Sequence, residues 1–375
     1  MGLVIENWMR DELVRRKEMI RRLWAGQPLE RIPLDIRVIL PTTYTVREQF
    51  QDADKQLEVA LASAMATWKH APSSDAIPAM RPDVGCSCLA SAFGAEYYWG
   101  ESVDQTPGIK EKIITDLDAR IDSITVPDPH RDGWLPEGMK RIRLFAEAGE
   151  GFVPVSLLDA AGGVNVAADL LGVTELLMAF YTSPESLHRL LDMIQDLYAA
   201  TIRAGIEAAG GEEFITTTDF PDTWFPEGMK GHVSDDICAN YGPDLYNEFS
   251  APYHERIFKE FGSGGLHNCG PNPCHAAYVS QALSPRCIDL SYNYSQGDLP
   301  KFKESARKKA FLYLPKDVGG DPVEWFTGIM EALAPDVVAV PIVTLSTSDD
   351  AEDVYRKLLP IAEEYAKRMD WGWES

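Results

Sequence analysis

The segment Gly265-Leu266-His267-Asn268-Cys269-Gly270 carries the sharpest chemical signal in the chain: an imidazole and a thiol two residues apart at the end of an apolar run. On an extended strand, residues i and i+2 project to the same side, so His267 and Cys269 can meet one ion. Imidazole with thiolate suits zinc. Two ligands do not define a zinc site, and the spacing leaves the third open. Cys274 follows within a turn, and Cys86 or Cys88 of the GCSC segment are alternatives. A site without metal also fits, since free Cys serves as a small buried hydrophobe.

A second set of candidates stands at the ends of apolar runs. FVPVSLLDA ends on Asp159, FITTTDF carries Asp219, and CIDLSYNY offers Asp289, Tyr292 and Asn293. Asp159, Asp219 and Tyr292 are candidate acids or bases, since a carboxyl held among apolar side chains has a raised pKa. Tyr97, Trp99, Trp224 and Asn293, with the same Tyr292, are candidates for a substrate pocket with aromatic walls. The alternative for each Asp and Asn is a helix cap or turn former, and for each aromatic a place in the core.

Such residues must be positioned by the alternation that surrounds them. After IPLDIRVILP, short apolar runs alternate with longer helical patterns up to AEDVYRKLLPIAEEYAKRM. Strand then helix, repeated, predicts parallel strands covered by helices. No linker interrupts the series over residues 1–375, so the prediction is a single α/β domain, a (β/α)8 TIM barrel, with residues 1–30 as an N-terminal helical extension. In such a barrel the loops after the strands form the active face, which is where His267, Cys269 and the carboxylates fall.

Composition excludes several partners. With 58 acidic and 35 basic residues the net charge is -23, which repels nucleic-acid phosphates and anionic lipid. No apolar run reaches the roughly 18 residues of a membrane span, and the charged first residues do not form a signal sequence, so a cytoplasmic location is expected. The six cysteines are too few and too irregularly spaced for a disulfide framework.

GLHNCG, then CIDLSYN, DLPKFKE and FLYLPKDVGGDP, follow in an order that resembles the uroporphyrinogen decarboxylase superfamily. YTSPESLHRLLDMIQD, VNVAADLLG, DDICANYGPDLYNEFSAPYHERIF and the opening RRKEMIRRLWAGQPLERIPLD extend the resemblance over nearly the whole chain. The arginine-bearing N-terminal segment with which the decarboxylases grip their substrate has no counterpart here. The chain is closer to the cobamide-dependent methyltransferases of the superfamily, which bind zinc through His-x-Cys and a further Cys after the last strand. His267 and Cys269 match the first part, whereas the last strand reads Pro341-Ile342-Val343 with no Cys.

The resemblance implies methyl transfer between a small methylated compound, a cobamide on a partner corrinoid protein, and a thiol or folate acceptor, with zinc assisting, and it implies a homodimer. The alternatives are a metal-free lyase acting on a smaller carboxylated substrate, and a binding barrel without catalysis.

Overall fold

The computed structural model describes residues 3–219, 221–317, 319–346 and 351–374. Runs rich in Val, Ile and Leu make the strands, because such side chains pack well on a sheet buried on both faces. They are β1 (Asp35–Val38), β2 (Gly231–Ser234), β3 (Ser263–Asn268), β4 (Cys287–Leu290), β5 (Phe311–Pro315) and β6 (Ala339–Leu345). They pair in parallel in the order β1-β6-β5-β4-β3-β2. Bridges Met80–Val155 and Val155–Ile215 continue the wall. Thr218 N–H donates to the Lys230 carbonyl at 3.0 Å, and Asp75 N–H to the Leu34 carbonyl at 2.9 Å. The sheet thereby closes into the expected α/β barrel.

Two expected strands shrink to single bridged residues, for local reasons. In FVPVSLLDA, Pro154 has no N–H to give a ladder. In FITTTDF, whose Phe220 lies outside the described residues, hydroxyls compete with the ladder: Thr216 Oγ1 donates to the Pro221 carbonyl at 2.8 Å and Thr217 Oγ1 to the Asp219 carbonyl at 2.7 Å.

The N-terminal extension, described from residue 3, forms the expected helix, α1 (Asn7–Trp24), with Met9, Ile20, Leu23 and Trp24 buried. Trp24 packs against Phe225 at 4.6 Å and Phe311, the first residue of β5, at 5.2 Å, so α1 covers the amino-terminal end of the barrel. The helix expected across VREQFQDADKQLEVALASAMATW is divided. Asp52 accepts hydrogen bonds from Asp54 N–H at 3.0 Å and Lys55 N–H at 3.4 Å and so starts a new helix, α2 (Ala53–His70).

Helix α3 (Gly163–Leu171) begins where two backbones touch. Gly162 has φ +43°, and a Cβ there would lie 2.0 Å from the Ser234 carbonyl oxygen at the end of β2. Among the described residues no single helix is long and apolar enough to cross a membrane.

Lys230, just before β2, is buried and donates to the carbonyls of Ile215 at 2.8 Å and Thr216 at 3.0 Å. Burial, with Lys17 nearby, holds its pKa down to about 7. The unfolded chain, with an ordinary lysine near 10.4, therefore binds the extra proton between these values, and stability rises with pH across that window. Compared with Lys230→Met, the unaltered protein should gain about 2–3 kcal/mol of unfolding free energy between pH 7 and pH 9, read by denaturant titration. Parallel pH dependences in the two proteins would refute this.

Candidate active site

Strand register brings the site together. Ser234, His267, Asp289 and Tyr313 are successive partners across β2, β3, β4 and β5. His267 and Asp289 thus stand side by side near the carboxyl ends of their strands, where barrels carry their chemistry. His267 Nδ1 is hydrogen-bonded to Asp289 Oδ1. That contact directs Nε2 the other way, to 3.2 Å from Cys269 Sγ and 3.6 Å from Asp236 Oδ1. The Cys269 N–H donates to the same Asp236 oxygen at 2.7 Å.

Asp236, His267 and Cys269 each offer one ligand atom, and these atoms all lie within 4.8 Å of one another. Zinc bonds of about 2.0–2.3 Å to nitrogen, sulfur and oxygen suit that spacing and donor set. A carboxylate behind the imidazole, here Asp289, is the usual partner of a metal-binding histidine. All three groups are partly exposed, which leaves room for an incoming ligand.

Burial works against charge on His267, but Asp289 overrides it and raises the imidazole pKa well above its ordinary value. Burial likewise opposes ionisation of Asp289, and the neighbouring His267 and His232 reverse this, holding the carboxyl below the usual range. The pair is therefore an imidazolium–carboxylate until something competes for Nε2.

A cavity of about 310 Å³ shares this wall, lined by Arg37, Arg81, Asp222, His267, Asp289 and Thr344 among others. Its volume suits a small molecule. Arg37 is bonded to Asp35 at 2.7 Å, to Thr223 Oγ1 at 2.8 Å and to Asp222. Arg81 Nη2 donates to Asp159 Oδ2 at 2.7 Å. Burial raises the Asp159 pKa to about 6 although Arg81 opposes it.

The structure places the other expected site residues elsewhere. Cys274 is not with His267 and Cys269: it is buried, and its Sγ points to the Tyr241 carbonyl at 3.4 Å. Neither Cys86, which is exposed, nor Cys88, whose Sγ faces the Asp159 carbonyl at 3.5 Å, joins the cluster. The third group gathered with them is Asp236. Asp219 is fully buried beneath the site, accepting from Ala160 N–H at 3.0 Å.

The expected aromatic wall disperses. Tyr97 donates to the Val84 carbonyl at 2.8 Å and stacks on Trp134, while Trp99 packs edge-on against Phe50. Trp224 lies under Lys17, Arg21 and Lys230. Tyr292 meets Trp325, and the Asn293 N–H donates to Asp317 Oδ1 at 3.0 Å. None of these five lines the cavity beside His267. Residues missed as site candidates are Asp236, Arg37, Arg81 and His232. Arg37 had a signal, since a charge within an apolar strand is costly unless it is paired or used. Asp236 had one too, as half of an Asp-Asp pair directly after GHVS.

The model of the family described as uroporphyrinogen decarboxylase (URO-D) matches residues 15–292. Among solved structures, the chain is similar to a methyltransferase from Methanosarcina mazei, with a TM-score of 0.64 and 17% sequence identity, covering 91% of this chain and 97% of that one. No curated protein matches the sequence.

Proposed function

The chain belongs to the uroporphyrinogen decarboxylase family, and from that membership we propose that it is a corrinoid-dependent methyltransferase in which zinc is held by Asp236, His267 and Cys269. The observation that carries this reading is the convergence of those three ligand atoms, with Asp289 behind His267, beside a small-molecule cavity. The likeness to a solved methyltransferase agrees with it. The reaction would move a methyl group between a small methylated compound or a methylcobamide and a thiol or folate acceptor. A corrinoid protein as partner, a homodimer and a cytoplasmic location belong to the same proposal.

Zinc in that site would lower the pKa of an incoming thiol, so that the thiolate is the nucleophile. The chain's own residues prepare for this. Asp289 takes the Nδ1 side of His267 and leaves Nε2 for the ligand face, and the Cys269 N–H fixes the Asp236 carboxylate. Arg37 and Arg81, which line the same cavity, can orient an anionic end of the substrate.

Zinc-replete protein is expected to methylate a thiol or folate from methylcobalamin, and His267→Ala to lose at least a hundredfold of that rate. No transfer to any thiol or folate would overturn the proposal. A metal-free lyase acting on a smaller carboxylated substrate is the second reading. It is favoured by Asp159, an acid of pKa about 6 beside Arg81. Asp159→Asn abolishing turnover while the cysteine variants leave it intact would select that reading.

A further inference from the structure

Below the His267–Asp289 pair lies a second imidazole and a second carboxylate, His232 and Asp219, both fully buried. The proposed chemistry makes no use of either. His232 is in register with Gly265 of β3, two residues before the Ser234–His267 pair and so on the same face, one side-chain row beneath His267 and Asp289. Gly265 has no side chain to fill that row, and a Cβ there would lie 2.8 Å from His232 Cδ2 and 2.9 Å from Phe225 Cε2. The His232 ring occupies the vacated space and reaches the row above. Its Nε2 is 3.3 Å from Asp289 Oδ2, and its Nδ1 is 3.8 Å from Asp219 Oδ2.

Asp219 and His232 are each anchored in place. Asp219 Oδ1 accepts from Ala160 N–H at 3.0 Å. The His232 N–H donates to Thr218 Oγ1 at 2.8 Å, and its carbonyl accepts from Tyr198 OH at 3.1 Å. Stability alone does not account for the arrangement, because apolar side chains of similar volume at both 219 and 232 would fill the space without desolvating an imidazole and a carboxylate. Asp289 presents one oxygen to each histidine, Oδ1 to His267 and Oδ2 to His232, so the orientation of its carboxylate is set from below.

We infer that His232 and Asp219 are positioning residues, which act through Asp289 to hold the His267 ring with Nε2 aimed at Cys269 and Asp236. The inference rests on the metal reading of that site. Partners behind a metal-binding histidine typically contribute tenfold to hundredfold in metal affinity.

The test is zinc affinity of the full chain, measured by competition with a chromophoric chelator, together with the absorption spectrum of the cobalt(II)-loaded protein. His232→Phe, which keeps a ring and loses the polar atoms, should bind zinc roughly tenfold to hundredfold more weakly and alter the cobalt spectrum. His232→Gln, whose amide N–H can still reach Asp289, should recover most of the affinity. Asp219→Asn carries the same test if His232→Phe does not fold, and should weaken binding at least threefold. A folded His232→Phe or Asp219→Asn with unchanged affinity and spectrum overturns the inference and leaves the metal reading standing. No zinc bound by the unaltered protein overturns both.

Discussion

After zinc is supplied and excess removed, the unaltered protein is expected to retain about one ion per chain, and His267→Ala and Cys269→Ala to retain almost none. Each variant removes a donor from a set of three, so its effect should exceed the tenfold to hundredfold that loss of an outer partner causes. Asp236→Ala is expected to behave in the same way, because its carboxylate lies with the other two ligand atoms inside 4.8 Å. Cys274→Ser is expected to keep the metal, since that thiol is buried and directed at the Tyr241 carbonyl. Elemental analysis of the four variants decides the ligand set. Retention by Asp236→Ala together with loss from Cys274→Ser would show that the third ligand is misassigned.

Asp75→Ala is expected to cost about 3–5 kcal/mol of stability, because it leaves the Arg31 guanidinium, only 12% exposed, without its carboxylate. The Asp75 side chain is 1% exposed. It is bonded to Arg31, with one contact at 2.9 Å, to Arg15 at 3.2 Å and to the Leu34 N–H at 2.8 Å. One carboxylate thus joins α1, the turn that follows it and the entry to β1. The exposed Lys110–Glu96 pair supplies the contrast, and Lys110→Ala should cost far less, because solvent screens that pair. Chemical unfolding of the two variants side by side measures the difference. Equal losses would show that Asp75 holds nothing together.

Much of this fold was legible because its signals are periodic. The apolar runs and helical stretches of the second half predict β3 to β6 and their covering helices, and the basic amphipathic start predicts α1. The expected strands at Val155 and Ile215 failed where single residues outweigh the pattern, a proline without an N–H and threonines whose hydroxyls capture nearby carbonyls. The site divides in the same way. His267 and Cys269 meet because a two-residue offset on a strand has a fixed geometry. Asp236 joins them through the pairing of β2 with β3, a relation between segments about thirty residues apart that no local spacing encodes. The aromatic wall failed because Tyr97, Trp99 and Trp224 have apolar and cationic neighbours of their own. Apolar character alone does not say which cavity a ring lines.

The contact between Gly162 and the Ser234 carbonyl separates positions around the site that can take a new side chain from one that cannot. Asp236, His267 and Cys269 are partly exposed, so the space around them is open to side chains of other shapes. Gly162 has no such space. A Cβ there would lie 2.0 Å from the Ser234 carbonyl oxygen, so one of the two backbones would have to shift, two residues from Asp236. The site therefore accommodates a changed side chain at its rim more readily than a single Cβ at Gly162.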